Sequence, residues 1–154
     1  MKMDILQQFI NAADAVLAEN LGGATRIEDV SMEPETYRRK GIAAAVLLSG
    51  EVQGRVIFDM EPATAAKVAG TMGNALLPAA ESEEFVRETI CELASQVIGN
   101  AITTLNDQGL RCKVFPPQVH NSDEGLHSSA DTESLVVCFA TPSGPVYLNI
   151  AMHY

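Results

Sequence analysis

The stretch from residue 86 to residue 106 mixes apolar and polar positions with the period of an α-helix. At about 100° per residue, one arc of this helix carries the apolar residues Val86, Ile90, Leu93, Val97 and Ala101. The opposite arc carries Glu88, Glu92, Ser95, Gly99 and Asn106. Acidic residues just before the stretch favour a helix N-terminus, and the glycine at position 109 favours its end. The pattern predicts a long helix that ends near Asn106, with one buried and one outward side.

The outward side of this helix is the first candidate for a functional surface. Glu92 and Ser95 are three positions apart, which makes them neighbours on a helix. Gly99, one turn further on, would let a partner approach the backbone. We expect Glu92 and Ser95 to form the centre of the site, and Glu88, Gln96 and Gly99 to contact the partner around it. The same pattern is also typical of an ordinary amphipathic helix with a solvated polar face.

The N-terminal part of the chain predicts a helix followed by a strand. Apolar residues recur at helical spacing over 3–20, and the Gly22-Gly23 pair beyond them supplies a stop. The pattern becomes extended over 24–30. We expect the polar stretch 31–40 to be a connection between this strand and the next.

The following part predicts a β-hairpin and a short helix. The β-branched runs 42–48 and 52–60 surround a turn that contains Gly50, which is a hairpin signal. Pro62 then marks the start of a helix, because proline is tolerated in a first turn. The face of this helix, over 63–72, is largely alanine. We expect it to be structural or to lie at a subunit interface.

The C-terminal part predicts further strands. Residues 113–119 are extended with a proline interruption, and a polar loop follows over 121–132. The runs 134–140 and 145–152 predict a second hairpin. The chain therefore has three predicted helices and about six strands, mostly joined by hairpins. We expect a single α+β domain over 1–154, with the long central helix and two further helices packed against an antiparallel sheet.

Composition narrows the classes of function. The chain has 154 residues, of which 47% are hydrophobic, and a formal net charge of −10. This charge would repel nucleic acid and anionic lipid. Neither a signal peptide nor a membrane-spanning segment is predicted, so we expect a cytoplasmic protein. The three cysteines and three histidines lack the spacing of a disulfide framework or a zinc site, and no cofactor or metal of the chain's own is expected.

Several local motifs, in order, resemble the CheC/CheX/FliY group of bacterial chemotaxis phosphatases, and CheX most closely. The central helix is similar in Glu92-Leu-Ala-Ser95, where the family has Glu-x-x-Asn, and in Gly99-Asn-Ala. The turn Leu48-Ser-Gly-Glu-Val-Gln-Gly54 resembles the family's Leu-Ser-Gly-x-x-x-Gly. Pro117-Gln-Val119 lies where the family has Pro-x-Val. The resemblance spans roughly residues 5 to 152.

This resemblance implies a partner and a reaction. In the family, the helix presents its glutamate and asparagine to a phosphorylated receiver domain of the CheY type. The acid pairs with the receiver's lysine, and the amide orients the water that attacks the aspartyl phosphate, while the receiver brings its own Mg²⁺. By this resemblance, Glu92 and Ser95 are the candidate catalytic residues. Homodimers are known in the family, so a homodimer is expected.

The sequence departs from the family pattern at Ser95, where asparagine is expected. A serine hydroxyl is shorter than an asparagine amide and lacks its paired donor and acceptor. Gln96 is adjacent but points about 100° further round the helix. Three hypotheses follow: a phosphatase that works with serine, a non-catalytic module that binds receivers or acts as an adaptor, and a structural domain with another partner.

Overall fold

The structure, a computed structural model, describes residues 2–21, 25–34, 40–72, 83–120 and 133–153. Within these ranges the helices are α1 (Lys2–Leu21), α2 (Pro62–Met72) and α3 (Glu83–Asp107). The strands are β1 (Arg26–Pro34), β2 (Ile42–Gly50), β3 (Gln53–Met60), β4 (Cys112–Val114), β5 (Gln118–His120), β6 (Glu133–Thr141) and β7 (Gly144–His153). The predicted loop over 121–132 lies outside the described residues.

The strands form one antiparallel sheet in the order β1-β6-β7-β3-β2-β4, and β5 also pairs with β2. Because side chains alternate along a strand, each strand divides its residues between the two faces. One face joins the helices in the main core, to which the strands contribute Val46, Phe58 and Leu148. The opposite face holds a small separate cluster that includes Ala45 and Ile57. The predicted α+β architecture, with helices on the sheet, is confirmed.

The two predicted hairpins are present, and glycine makes each turn. Gly50 ends β2 with a φ of 106°, and Gly144 begins β7 with a φ of 121°. Both values lie in the left-handed region, which glycine adopts without the steric cost of a Cβ. A Cβ on Gly144 would also lie 2.6 Å from Oγ1 of Thr64, so this turn packs closely on α2.

The prediction that residues 31–40 form a connection is wrong for its first part. β1 continues to Pro34, and its residues Ser31 and Met32 pair with Val136 and Leu135 of β6. Local composition here is polar, but pairing with a long neighbouring strand supplies backbone hydrogen bonds that override the local preference. Residues 35–39 lie outside the described part of the chain.

The stretch 113–119, predicted to be extended with a proline interruption, forms two short strands on either side of that interruption. Both β4 and β5 pair with β2. Between them lies Phe115-Pro-Pro117, and proline has no N–H to donate to a ladder. The N–H of Phe115 donates to the carbonyl of Leu47 (3.0 Å), which keeps the interrupted segment against β2. The described sheet therefore has seven strands, where the sequence predicted about six.

Helix α2 is packed into the core of the chain by one side. Thr64, Ala65, Val68 and Ala69 are all buried. Small alanine side chains on this side allow the helix to approach α3 and the sheet closely. The structural role predicted for this helix therefore fits its position. None of the described helices combines the length and apolarity needed to cross a bilayer.

Candidate functional site

The candidate site lies on α3, and local chemistry fixes where this helix ends. Gly109 has a φ of 90°. Its N–H donates to the carbonyl of Asn106 (3.0 Å), and the N–H of Leu110 donates to the carbonyl of Leu105 (2.9 Å). These two bonds are the Schellman arrangement, which satisfies the last carbonyls of a helix. The helix ends one residue beyond Asn106, close to the predicted position.

The two arcs predicted for α3 are confirmed by its burial pattern. The apolar positions 86, 90, 93, 97 and 101 are all buried in the core. Glu88, Glu92, Ser95 and Gly99 are all exposed, and we call these four residues the outer strip. At 100° per residue they lie within about 60° of Glu92 around the helix. The sequence therefore placed the outer strip correctly before any tertiary contact was known.

The outer strip presents two carboxylates that have no ion-pair partner within the described part of the chain. Glu88 and Glu92 lie one helical turn apart, and within the described part of the chain neither makes a hydrogen bond or ion pair. Like charges at this spacing destabilise a helix by about 0.2–0.5 kcal/mol. The chain thus keeps a slightly repulsive pair of carboxylates on its surface. This pair is suited to bind a positively charged group of a partner.

Gln96 borders the outer strip on the side of α1 and is partly buried. Its Oε1 accepts a hydrogen bond from Nδ2 of Asn20 at the end of α1 (2.9 Å), and the same Nδ2 donates to the carbonyl of Val16 (2.8 Å). The sequence predicted a partner contact for Gln96. The structure places it between the outer strip and α1, with its amide oxygen already in a hydrogen bond within the chain.

A cleft of about 450 Å³ lies on the other side of the outer strip, between α3 and the segment after β4. We call it the proline cleft. Its lining residues are Val46, Ser95, Ile98, Gly99, Ile102, Thr103, Val114, Phe115, Pro116 and Pro117. The structure thus places Pro117, noted in the sequence, in the lining of the same cleft as Ser95, and leaves Phe115 in that lining 49% exposed.

A larger open cleft of about 820 Å³ lies near the start of α3, lined by Glu83, Glu84, Arg87, Glu88, Cys91 and Val119. Burial raises the pKa of the Cys91 thiol above its ordinary value, while the nearby charge of Arg87 acts in the opposite direction. Cys91 is therefore a weak nucleophile at neutral pH. Among the described residues, no group of three or more His, Cys, Asp or Glu side chains is arranged to hold a metal ion.

Sequence reasoning missed two residues that border this site. Asn20 reaches Gln96 across 76 positions of the chain, and no local pattern marks such a contact. Phe115 precedes two prolines, and this aromatic residue next to a break in the strand was the available sequence signal for the proline cleft. Both residues owe their place to the packing of α1 and of the β4–β5 segment around α3.

A family model and several solved structures match this chain. The family model described as chemotaxis phosphatase CheX matches residues 42–140. A search of curated proteins finds no match. Among solved structures, a CheC-like superfamily protein from Shewanella sp. PV-4 has a TM-score of 0.82 at 19% identity, covering 100% of both chains.

Two further solved structures carry the CheX name. CheX from Desulfovibrio desulfuricans has a TM-score of 0.82 at 16% identity, with 97% of this chain and 99% of that chain covered. CheX from Borrelia burgdorferi, solved in a complex with CheY, BeF3 and Mg²⁺, has a TM-score of 0.71 at 29% identity, with 97% of each chain covered. Since the family model covers well over half of its length, this chain belongs to the chemotaxis phosphatase CheX family.

Proposed function

We propose that this chain binds the phosphorylated receiver domain of a CheY-type response regulator through the outer strip and accelerates hydrolysis of its aspartyl phosphate. The observation that carries the proposal is the exposed, unpaired carboxylate of Glu92 on a helix whose sequence matches the family's. The Borrelia burgdorferi CheX, which is 29% identical, was solved in a complex with CheY, BeF3 and Mg²⁺. That complex supports a receiver as the partner.

In the proposed reaction, the main task of the chain is to position the attacking water. The water oxygen bonds to phosphorus, the bond between phosphorus and the aspartyl oxygen breaks, and its electron pair returns to the receiver's carboxylate. Both water protons leave with the phosphate as H2PO4⁻. We assign the Mg²⁺ to the receiver, where it neutralises charge on the phosphoryl oxygens. Holding one water in line and excluding others can supply a large part of the acceleration.

Glu92 and Ser95 have separate roles in this proposal. The Glu92 carboxylate pairs with the receiver's lysine, and its freedom from partners within the described chain leaves it available. Charge-assisted hydrogen bonds of this kind are about twice as strong as neutral ones. The Ser95 hydroxyl lies three positions further on, at the rim of the proline cleft, where it faces the attacking water.

The second candidate function is receiver binding without hydrolysis. The observation in its favour is Ser95 itself, because its hydroxyl is shorter than an amide and lacks the paired donor and acceptor. In this alternative the outer strip recognises the phosphorylated receiver, and the chain competes with other receiver partners. Glu92 has the same role in both candidates.

The experiment measures binding and hydrolysis separately. Binding is measured against a panel of CheY-type receivers loaded with BeF3⁻ and Mg²⁺, and phosphate release is measured with the same receivers phosphorylated by phosphoramidate. We expect the natural chain to bind and to accelerate release, and Glu92→Ala to weaken binding about tenfold or more. Binding without acceleration, with activity gained by Ser95→Asn, would establish the second candidate. Unchanged binding by Glu92→Ala would refute both.

The proposal extends to a homodimer formed through β1, in the cytoplasm where receivers function. Among the described strands β1 pairs only with β6. Its residues Ile27, Val30 and Met32 pair with core residues of β6, yet they are 45%, 50% and 56% exposed. An antiparallel edge can pair with its own copy about a twofold axis. We expect light scattering to show a dimer that Val30→Lys converts to a monomer; an unchanged mass would refute this interface.

A further inference from the structure

Around the axis of α3, Gln96 lies at least as close to Glu92 as Ser95 does, but on the opposite side. Residues four apart lie about 40° from each other around a helix and face the same side. Gln96 is therefore a direct neighbour of Glu92, on the side of α1, while Ser95 lies on the side of the proline cleft. Glu92 therefore has a polar side chain on each side of it, Gln96 towards α1 and Ser95 towards the proline cleft.

The amide of Gln96 has a fixed orientation. The Nδ2 group of Asn20 has two hydrogens, and it donates one to the carbonyl of Val16 (2.8 Å) and the other to Oε1 of Gln96 (2.9 Å). With both hydrogens used, the Asn20 amide cannot turn over without losing a bond. An amide oxygen has two acceptor lone pairs. Oε1 of Gln96 is therefore held in place and keeps one lone pair for another donor.

Ser95 offers no comparable restraint. Its side chain is exposed and makes no hydrogen bond within the described part of the chain. A hydroxyl that rotates freely must be ordered at the moment of reaction, whereas a group that is already ordered avoids that cost. Of Ser95 and Gln96, only Gln96 is held in place by a hydrogen bond from another helix.

We propose that the carboxamide of Gln96, held by Asn20, is the group that positions the attacking water in this chain. The water donates one hydrogen to the free lone pair of Gln96 Oε1, and its own lone pair points at the phosphorus of the receiver's aspartyl phosphate. Bond formation, bond breaking and the fate of the protons are those of the hydrolysis given above. This inference rests on the proposed function and replaces Ser95 by Gln96 as the main water-binding group.

Asn20 is a positioning residue in this arrangement, because it acts through Gln96 and does not touch the water. Its role can be distinguished from a simple link between α1 and α3. Asn20→Asp keeps the shape of the side chain but has no hydrogen to donate to the Val16 carbonyl or to Gln96 Oε1. The Gln96 amide can still contact the new carboxylate by turning its amino group towards it, but the amide oxygen then loses the position from which it binds the water.

The test compares single variants of the full chain for phosphate release from a phosphorylated CheY-type receiver under saturating conditions. Gln96→Ala is expected to lower kcat about tenfold or more, and to lower it further than Ser95→Ala does. Asn20→Asp is expected to lower kcat several-fold. The Kd of Gln96→Ala and Asn20→Asp for the receiver loaded with BeF3⁻ and Mg²⁺ should stay close to that of the natural chain. Thermal unfolding of each variant reports on folding.

A matched control comes from α1, where Nε2 of Gln7 donates to Oδ1 of Asn11 (2.8 Å) on the exposed surface. Gln7→Ala removes a similar hydrogen bond between two amide side chains and should leave kcat unchanged. If Ser95→Ala lowers kcat more than Gln96→Ala, the inference is wrong while the proposed phosphatase stands. If Asn20→Asp keeps full kcat, the contact is only a structural link. If the natural chain binds the receiver without hydrolysing its phosphate, the inference fails and receiver binding survives.

Discussion

Replacing Gly99 with alanine separates the stability of α3 from its proposed function. Gly99 lies within a helix of 25 residues, and glycine inside a helix costs about 1 kcal/mol relative to alanine. A Cβ added at Gly99 would have no neighbouring atom within 4 Å. Packing within the described chain therefore does not require glycine here. We expect the residue to serve the close approach of the receiver to the outer strip.

Gly99→Ala is expected to stabilise the folded chain but to weaken its binding to the receiver. The free energy of unfolding should rise by about 1 kcal/mol, which for a chain of this size raises Tm by about 2–4 °C. In the complex, the added methyl group would lie between α3 and the receiver. Overpacking a tight contact costs about 1–3 kcal/mol. The Kd for the receiver is therefore expected to rise about fivefold to 150-fold.

Gly70 of α2 provides a matched control, because a Cβ there would also have no neighbour within 4 Å. Gly70→Ala should stabilise the chain by a similar amount and leave receiver binding unchanged. Stability is measured by urea and thermal unfolding, and binding by calorimetry with a receiver that carries BeF3⁻ and Mg²⁺. If Gly99→Ala binds as tightly as the natural chain, the receiver does not approach the backbone at this point, and the reasoning is refuted.

Three further predictions concern α3. Glu88→Gln removes the repulsion with Glu92, so urea unfolding should show a gain of about 0.2–0.5 kcal/mol, and a NaCl titration should show a weaker salt dependence of receiver binding; an unchanged salt dependence would place Glu88 outside the interface. Leu93→Ala removes a fully buried side chain and should lower the free energy of unfolding by about 2–5 kcal/mol; a much smaller loss would contradict the core assigned to α3. Because burial raises the pKa of Cys91 above its ordinary value of 9.0, less thiolate is present at any given pH. Its alkylation by iodoacetamide, followed by mass spectrometry, should be slow at neutral pH and still rise beyond pH 9.0; a plateau below that pH would contradict the burial.

Local pattern was sufficient wherever a segment's own residues decide its structure. The helical period over 86–106 predicted both the buried side and the outer strip, because a regular helix places residues at fixed angles. Gly50 and Gly144 marked the hairpin turns, since glycine adopts the required φ at no steric cost. Pattern failed at Ser31–Pro34, which is polar but pairs with β6. Near Phe115 the predicted proline interruption separates two short strands, so the described sheet has seven strands where the sequence predicted about six.

For the candidate site too, one part was predictable from the sequence and another depended on tertiary packing. The sequence alone determined that Glu92, Ser95 and Gly99 share one exposed side of a helix, and its motifs pointed to the CheX family. Only the tertiary structure decided which neighbours surround that side. The packing of α1 against α3 brings Asn20 to Gln96, and the return of the chain along β2 places Pro117 in the lining of the same cleft as Ser95. Such contacts depend on how distant segments meet, and a helical period carries no information about the element that will lie beside it.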